Sequence, residues 1–225
     1  MTQALATVPS GITLSLGTGG AISVPTQPAT FTVTSLNSGI NFPANSVVVV
    51  AFYEEDGSSG ISSPLIGGQA ASLIAQDASN LFFYSVLVGG SSIADTFGGS
   101  NGNFYTNLTF RAWILNGATS ATPTTTKNGV AGGADPQVLS AQPINVPSGG
   151  IGLVALGCSV NFTAGTTTLW GTPSGSISPD ASSRLDAHYL FSSWNTTTSG
   201  NWDPGVTGSS TLAFKNNTMI AVSFP

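Results

Sequence analysis

Apolar and polar residues alternate along most of this chain, and this period of two limits its fold more than any other feature. In Phe31-Thr32-Val33-Thr34, the two apolar side chains are predicted to point to one side and the two threonines to the other. The spacing of three or four residues that an amphipathic helix needs is not sustained. The chain is therefore predicted to be all-β and built from antiparallel strands.

Three apolar segments predict the most deeply buried strands. Val47–Tyr53 is an uninterrupted apolar run, bounded by Asn45-Ser46 and by Glu54-Glu55-Asp56-Gly57. Such a run predicts a strand that is buried on both faces or lies at the centre of a sandwich. Leu81–Val88 predicts a second strand. In Leu108–Leu115, the even-numbered residues are predicted to share one face and the odd-numbered residues the other.

The remaining segments predict shorter elements. Further strands are expected at Ile151–Val160 and in a closing hairpin of Thr211–Phe214 with Met219–Phe224. Short helical segments are expected at Ser178–His188 and Asp135–Gln142. Three segments rich in Gly, Ser, Thr or Asn are expected to be long loops, namely Gly89–Asn107, Gly117–Gly133 and Thr163–Ser183. Short strands at this spacing favour an antiparallel β-sandwich of jelly-roll type with long loops.

Two regions are predicted along the chain. Residues 29–225 are expected to form the β-sandwich domain. Residues 1–28 are rich in Gly, Thr and Pro, and are expected to form an N-terminal docking arm. The first twenty residues have neither a basic start nor a long apolar run, so no signal peptide is predicted.

Low charge excludes several classes of function. Only 6% of the 225 residues are charged, and four Lys and Arg face nine Asp and Glu, which gives a net charge of −5. Four cations cannot build the basic footprint of a nucleic-acid-binding protein. An apolar content of 40% excludes a disordered polyelectrolyte, and no apolar stretch is long enough to insert in a membrane. A surface with so little charge tolerates close neighbours, and two interpretations are open: a stable secreted or extracellular β domain, or a subunit that packs against copies of itself or other proteins.

No cofactor, metal site or catalytic site is predicted. His188 is the single histidine and Cys158 the single cysteine, so neither can build a zinc site of the usual kind, and no Gly-x-Ser-x-Gly segment occurs. The Glu54-Glu55-Asp56 trio lacks the alternate spacing of a calcium loop and is expected to be a solvated turn. Two carboxylates placed across a cleft for glycoside hydrolysis remain an open alternative, although most acidic residues lie in turn-like segments.

Three tryptophans are the candidate ligand-binding or interface residues. Trp170, Trp194 and Trp202 each lie beside Gly, Asn, Ser or Asp in segments typical of loops. Their rings could fill the ends of the sandwich, anchor a protein interface, or stack on a sugar whose hydroxyls bond the neighbouring polar side chains. All three interpretations are open from the sequence.

An ordered series of strands and glycine turns resembles a known group of proteins. It consists of Val47–Tyr53, Leu65–Ala71, Leu81–Leu87, Leu108–Ala118, Ile144–Leu156, Leu169-Trp170-Gly171 and Met219–Phe224. Over roughly Asn45 to Phe224 the chain is similar to β-sandwich proteins encoded among the structural genes of tailed bacteriophages and prophages. This likeness is one of strands and turns, and it carries no active-site residues.

The resemblance implies a non-enzymatic component of a phage particle: a head decoration protein, a fibre or a tail surface protein. Its expected location is the virion, after synthesis in the host cytoplasm, and its partners are other virion proteins and copies of itself. The alternative is a lectin-like module that binds a host surface glycan through Trp170, Trp194 or Trp202. A shell protein that encloses a genome is disfavoured, because residues 1–30 contain no Lys or Arg.

Overall fold

The protein is an all-β structure of packed antiparallel sheets. The computed structural model describes residues 12–23, 29–54, 61–77, 81–101, 107–131, 137–141, 144–157, 168–172, 175–176, 189–195, 200–208 and 218–225. No helix occurs in these ranges. Side chains are described mainly for residues 30–53, 61–76, 81–100, 109–124, 144–155 and 219–225. The antiparallel sandwich predicted from the sequence is confirmed, while its jelly-roll connectivity stays a prediction.

Eighteen strands follow in chain order over the described residues. Their bounds are β1 Thr13–Ser23, β2 Ala29–Thr34, β3 Ser46–Glu54, β4 Ser62–Ile66, β5 Gln69–Ala70, β6 Ser72–Asp77, β7 Leu81–Val88, β8 Thr96–Asn101, β9 Asn107–Asn116, β10 Thr125–Ala131, β11 Gln137–Ala141, β12 Ile144–Val146, β13 Ile151–Gly157, β14 Thr168–Thr172, β15 Gly175–Ser176, β16 Tyr189–Asn195, β17 Gly200–Gly208 and β18 Thr218–Phe224.

These strands form three sheets. The central sheet has the order β1-β9-β3-β7-β6, and the outer sheet has the order β2-β8-β4-β5. The large sheet runs β15-β14-β17-β11-β10-β18-β13-β16, and β12 also pairs with β17. The central sheet lies between the other two, because each of its faces contributes to a different hydrophobic core.

The apolar run of β3 is explained by this position in the middle layer. Val48, Val50 and Phe52 enter the core shared with the outer sheet, whereas Val49 and Tyr53 enter the core shared with the large sheet. All five side chains are buried. A strand covered on both faces needs apolar residues at every position, so the sequence prediction for this segment is confirmed.

Aromatic rings join the central and outer sheets. Phe97 of β8 lies at the middle of this cluster, with its ring centroid 6.0 Å from Phe31, 6.2 Å from Tyr84 and 6.4 Å from Phe52. The Tyr84 hydroxyl also accepts a hydrogen bond from the backbone N–H of Ile61 at 3.2 Å. Each fully buried aromatic side chain of this kind contributes about 1.5–3 kcal/mol, so this contact fixes the outer sheet on the central one.

The second core joins the central sheet to the large sheet. Trp113 of β9 is fully buried and stacks on Phe83 of β7, with ring centroids 5.9 Å apart and ring planes 5° from parallel. Leu153 of β13 and Val222 of β18 cover this layer from the large sheet. The two predicted faces of β9 are thereby confirmed: Trp113 enters this core, and Phe110 enters the other.

β1 forms one edge of the central sheet. It pairs with β9 from Thr13↔Asn116 to Ser23↔Asn107, with a register shift between Leu16 and Gly19. Part of the segment predicted as a docking arm, residues 13–23, is therefore hydrogen-bonded to the sandwich. Its role as an arm stays a prediction, and residues 1–11 and 24–28 lie outside the described part of the chain.

Several predictions of local structure are wrong. The expected helical turn at Asp135–Gln142 is a strand over residues 137–141, because β11 pairs with both β10 and β17. The three expected loops contain β8, β10 and β14 with β15. Their Gly- and Thr-rich sequences lack the apolar alternation that marks strands, and sheet pairing overrides that weak local signal. The expected Ser178–His188 helix and residues 211–214 of the expected hairpin lie outside the described residues.

Candidate functional site: a hydroxyl-lined groove

The outer sheet has one apolar face and one polar face. Phe31 and Val33 of β2 point into the core, while Thr30, Thr32 and Thr34 are exposed on the opposite face. This is the alternation that Phe31-Thr32-Val33-Thr34 predicted. The polar face is not covered by another described sheet.

A groove crosses this polar face over β2, β8 and β4. Its volume is about 240 Å³. The register places Thr32 of β2 opposite Gly98 of β8, and Leu65 of β4 on the other side of Gly98. Because Gly98 has no side chain, a depression is left between its two neighbours. A Cβ atom there would lie 2.5 Å from the carbonyl oxygen of Phe31, so the close approach of β2 and β8 requires glycine.

The side chains that line the groove are small and mostly carry hydroxyls. Five hydroxyl residues contribute, namely Thr30, Thr32, Ser63, Thr96 and Ser100. Leu65 adds an apolar side chain that is 40% exposed. None of the described residues that line this groove is charged.

Two local features of the backbone shape the wall formed by β4. The pairing of β4 with β8 shifts register between Ser62 and Leu65, and within this bulge Ser63 has a φ of 52°. A left-handed conformation is uncommon for a residue with a side chain, and bulges redirect side chains at binding sites. At the end of β4, Gly67 and Gly68 have φ values of 60° and 79°, as a tight hairpin turn to β5 requires.

A clamped turn supports one end of the groove. Asp95 precedes β8, and its carboxylate accepts hydrogen bonds from the backbone N–H groups of Asn37 and, at 2.8 Å, Gly39. The Asp95 carbonyl also accepts the N–H of Ser35 at 3.1 Å, which extends the β2–β8 ladder by one step. The turn holds Ser35, Ser38 and Gly39 at positive φ. Asp95 is 7% exposed, so this carboxylate is committed to the turn.

Exposed side chains in the described part of the structure include several large apolar residues. Asp95 and Arg111 are the charged residues whose side chains the structure describes, and both are buried, Arg111 to 4% exposure. Large apolar side chains are exposed instead at Ile40, Leu73 and Leu87, in addition to Leu65. A second shallow groove of about 280 Å³ lies beside Leu87, between Asn45 and the residues 117–119.

The three candidate tryptophans lie in strands, which corrects their assignment to loops. Trp170 is in β14 opposite Gly205, and Trp202 is in β17 opposite Ile144. Trp194 is in β16, at the other end of the large sheet, opposite Gly152. The strand order thus separates Trp194 from the other two. Their side chains lie outside the described part of the structure, so their role as ligand or interface residues stays a prediction.

Most residues considered for catalysis or metal binding from the sequence lie outside the described residues. Among the described residues, no group of three His, Cys, Asp or Glu side chains is placed to hold a metal ion. His188 and Cys158 lie outside those residues, and of the acidic trio only Glu54 falls within them, at the end of β3. The described residues contain no helix that is long and apolar enough to cross a membrane.

The sequence predicts the polar face of β2 that borders the groove, but it does not predict the groove itself. The alternation in β2 predicts exposed threonines, yet nothing local shows that β8 and β4 lie beside them. Comparison with known proteins adds no further assignment, because no family model, no curated protein and no solved structure matches the chain.

Proposed function

We propose that this chain is a non-enzymatic structural component of a tailed-bacteriophage particle, as a capsid decoration, fibre or tail surface protein. It acts by packing against other particle proteins and copies of itself. The observation that carries this proposal is the low charge of the whole chain, 6% of residues, together with the large apolar side chains that are exposed among the described residues. The strand series that resembles phage structural proteins supports the particle assignment.

The mechanism follows from the same surface. Burial of neutral area stabilises each contact, at about 25 cal/mol per Å² of apolar surface removed from water. Many copies on one particle add avidity, so no single contact needs high affinity. The two cores give each copy a rigid body, since the central sheet is covered on both faces. Attachment of this kind depends little on ionic strength, because few charges are available to be screened.

The experiment is to purify phage particles from a bacterial strain that carries the gene and to detect the chain in them by mass spectrometry. The particles are then washed in buffer of low salt and in molar NaCl before sedimentation. We expect the chain to sediment with the particles after both washes. Absence of the chain from purified particles would refute the particle assignment, and release at moderate salt would refute the packing mechanism.

A lectin-like module on a virion or cell surface is the second candidate function. Every aromatic residue whose side chain is described is buried, so stacking on a sugar would depend on rings outside that set, among which Trp170, Trp194 and Trp202 are the candidates from the sequence. Tryptophan fluorescence during titration with bacterial polysaccharide tests this interpretation. Phenylalanine variants of the three tryptophans, made one at a time, identify the ring responsible for any change.

A further inference from the structure

The groove on the outer sheet is large enough for a small ligand. Its volume of about 240 Å³ is that of roughly eight water molecules in the liquid, which is room for a single sugar-sized ring. It lies on a rigid element, because β2, β8 and β4 are paired with one another and packed on the aromatic cluster around Phe97. A site held by strands keeps its geometry better than one held by loops.

The absence of charge among the described lining residues decides which ligands we expect to fit. With hydroxyls, glycines, Leu65 and Phe31 around it, the described lining offers neither a cation to an acid nor an anion to a base. Phosphate, carboxylate and amine ligands would lose part of their hydration shell on binding and would gain no charged partner in return. Binding of such ligands is therefore unfavourable. The favoured ligand is therefore neutral.

The hydroxyl groups are available to such a ligand. None of the side-chain hydrogen bonds of the described residues uses Thr32 or Ser100, and both residues are exposed on the polar face. Each hydroxyl can donate one hydrogen bond and accept two, and it rotates to suit its partner. A polyhydroxylated ligand, whose own groups both donate and accept, matches a lining of this type.

Carbon surface is also present within the groove. Leu65 stands on one side of Gly98 and Thr32 on the other, while the backbone of Gly98 lies between them. Sugar rings present C–H groups on their faces and hydroxyls at their edges. Apolar atoms within reach of several hydroxyls therefore complement both parts of a sugar ring, as small-molecule sites generally do.

We propose that the groove formed by β2, β8 and β4 binds one ring of a neutral saccharide, with Thr32 and Ser100 bonding its hydroxyls and Leu65 contacting its ring face. The proposal shares its ligand class with the second candidate function above, but not its residues. Each can therefore fail independently of the other, and of the phage-particle assignment.

The test uses isothermal titration and backbone amide NMR on the whole chain. The probes are maltohexaose, cellohexaose and galactan oligosaccharides as neutral ligands, and oligogalacturonate as the acidic counterpart. We expect a neutral probe to bind in the millimolar range and to shift the amides of Thr32, Gly98 and Ser100. The acidic probe should bind more weakly than the neutral one.

Two matched variants identify the site. Thr32→Val removes a hydroxyl with little change of shape, and we expect a roughly fivefold loss of affinity, the effect of one hydrogen bond. Thr34→Val is the control, since Thr34 is exposed on the same strand and face but does not line the groove. Both substitutions lie at exposed positions, and unfolding midpoints verify that both variants fold.

Three results would overturn the proposal. The first is that no neutral probe shifts the groove amides at millimolar concentration. The second is equal loss of affinity in Thr32→Val and Thr34→Val, or no loss in either. The third is saccharide binding that persists in Thr32→Val but disappears when Trp170, Trp194 or Trp202 is replaced, which would leave the tryptophan hypothesis standing instead.

Discussion

The clamp between Asp95 and the turn at residues 35–40 permits a quantitative prediction. Asp95→Ala removes the acceptor of two backbone N–H groups, those of Asn37 and Gly39. A hydrogen bond to a charged group contributes about 1.5–3 kcal/mol to stability. The turn is partly exposed, so water can replace part of that interaction. We therefore expect the variant to lose about 2–4 kcal/mol of unfolding free energy.

Urea denaturation measures this loss. For a chain of this size, with a slope near 3 kcal/mol per molar urea, the midpoint should fall by about 1 M. Asp95→Asn keeps one carbonyl acceptor, so its loss should be about half as large. Hydrogen exchange provides a local readout, because the amides of Asn37 and Gly39 should both lose protection in Asp95→Ala, and one of the two should lose it in Asp95→Asn.

Asn37→Ala is the matched control for this experiment. It keeps the backbone N–H that Asp95 accepts and removes only an exposed side chain, whose amide lies 3.5 Å from the Asn41 carbonyl oxygen. Its stability should change by less than about 0.5 kcal/mol. The clamp interpretation would be refuted if Asp95→Ala were as stable as this control, or if both amides kept their protection in Asp95→Ala.

Two further predictions concern the groove and its support. Burial raises the pKa of the Tyr84 hydroxyl above its ordinary value of 10.0, against a smaller lowering by the Ile61 N–H. Tyr84 thus contributes stability that is present below pH 10 and lost above it. Tyr84→Phe should lower the unfolding free energy by about 1 kcal/mol at neutral pH. The same variant should also show a smaller loss of stability at alkaline pH. Parallel stability–pH curves for the two proteins would contradict this. Gly67→Ala should lower the unfolding free energy by about 2–4 kcal/mol, because its Cβ would lie 2.5 Å from the Ile93 side chain at a φ of 60°. Gly68→Ala is the matched variant with open space around the added Cβ, and it should lose about 1 kcal/mol. Thermal unfolding compares them, and equal losses would show that the contact with Ile93 is unimportant.

The buried strands could be predicted because their signals are local. An apolar residue at every position of Val47–Tyr53 is enough to indicate a strand covered on both faces. The face alternation of β9 is equally local, and its even- and odd-numbered apolar residues enter different cores. Each of these predictions needed only the placement of apolar residues within a single segment.

The groove could not be predicted, because it depends on pairing between distant segments. Gly98 and Gly99 look like loop residues in the sequence. In the structure, a side chain on Gly98 would meet the backbone of Phe31, and one on Gly99 would meet Ile61, so both glycines allow strands to approach closely. No pattern within residues 96–101 shows which strands will pair with them. The partner strand β4 lies about thirty residues or more away in the sequence, and β2 lies further still.

The pairing of β1 with β9 has a kinetic consequence. The Asn116 side chain lies 3.5 Å from the Thr13 carbonyl oxygen across 103 residues of sequence, and the Thr124–Ser223 contact between the start of β10 and β18 spans 99. Closing a loop of about 100 residues costs roughly 4 kcal/mol of chain entropy before the contact can form. Folding should therefore be slow, on the millisecond-to-second scale of nonlocal β-topologies. Until β1 docks, the nascent chain exposes the edge of β9 to other chains.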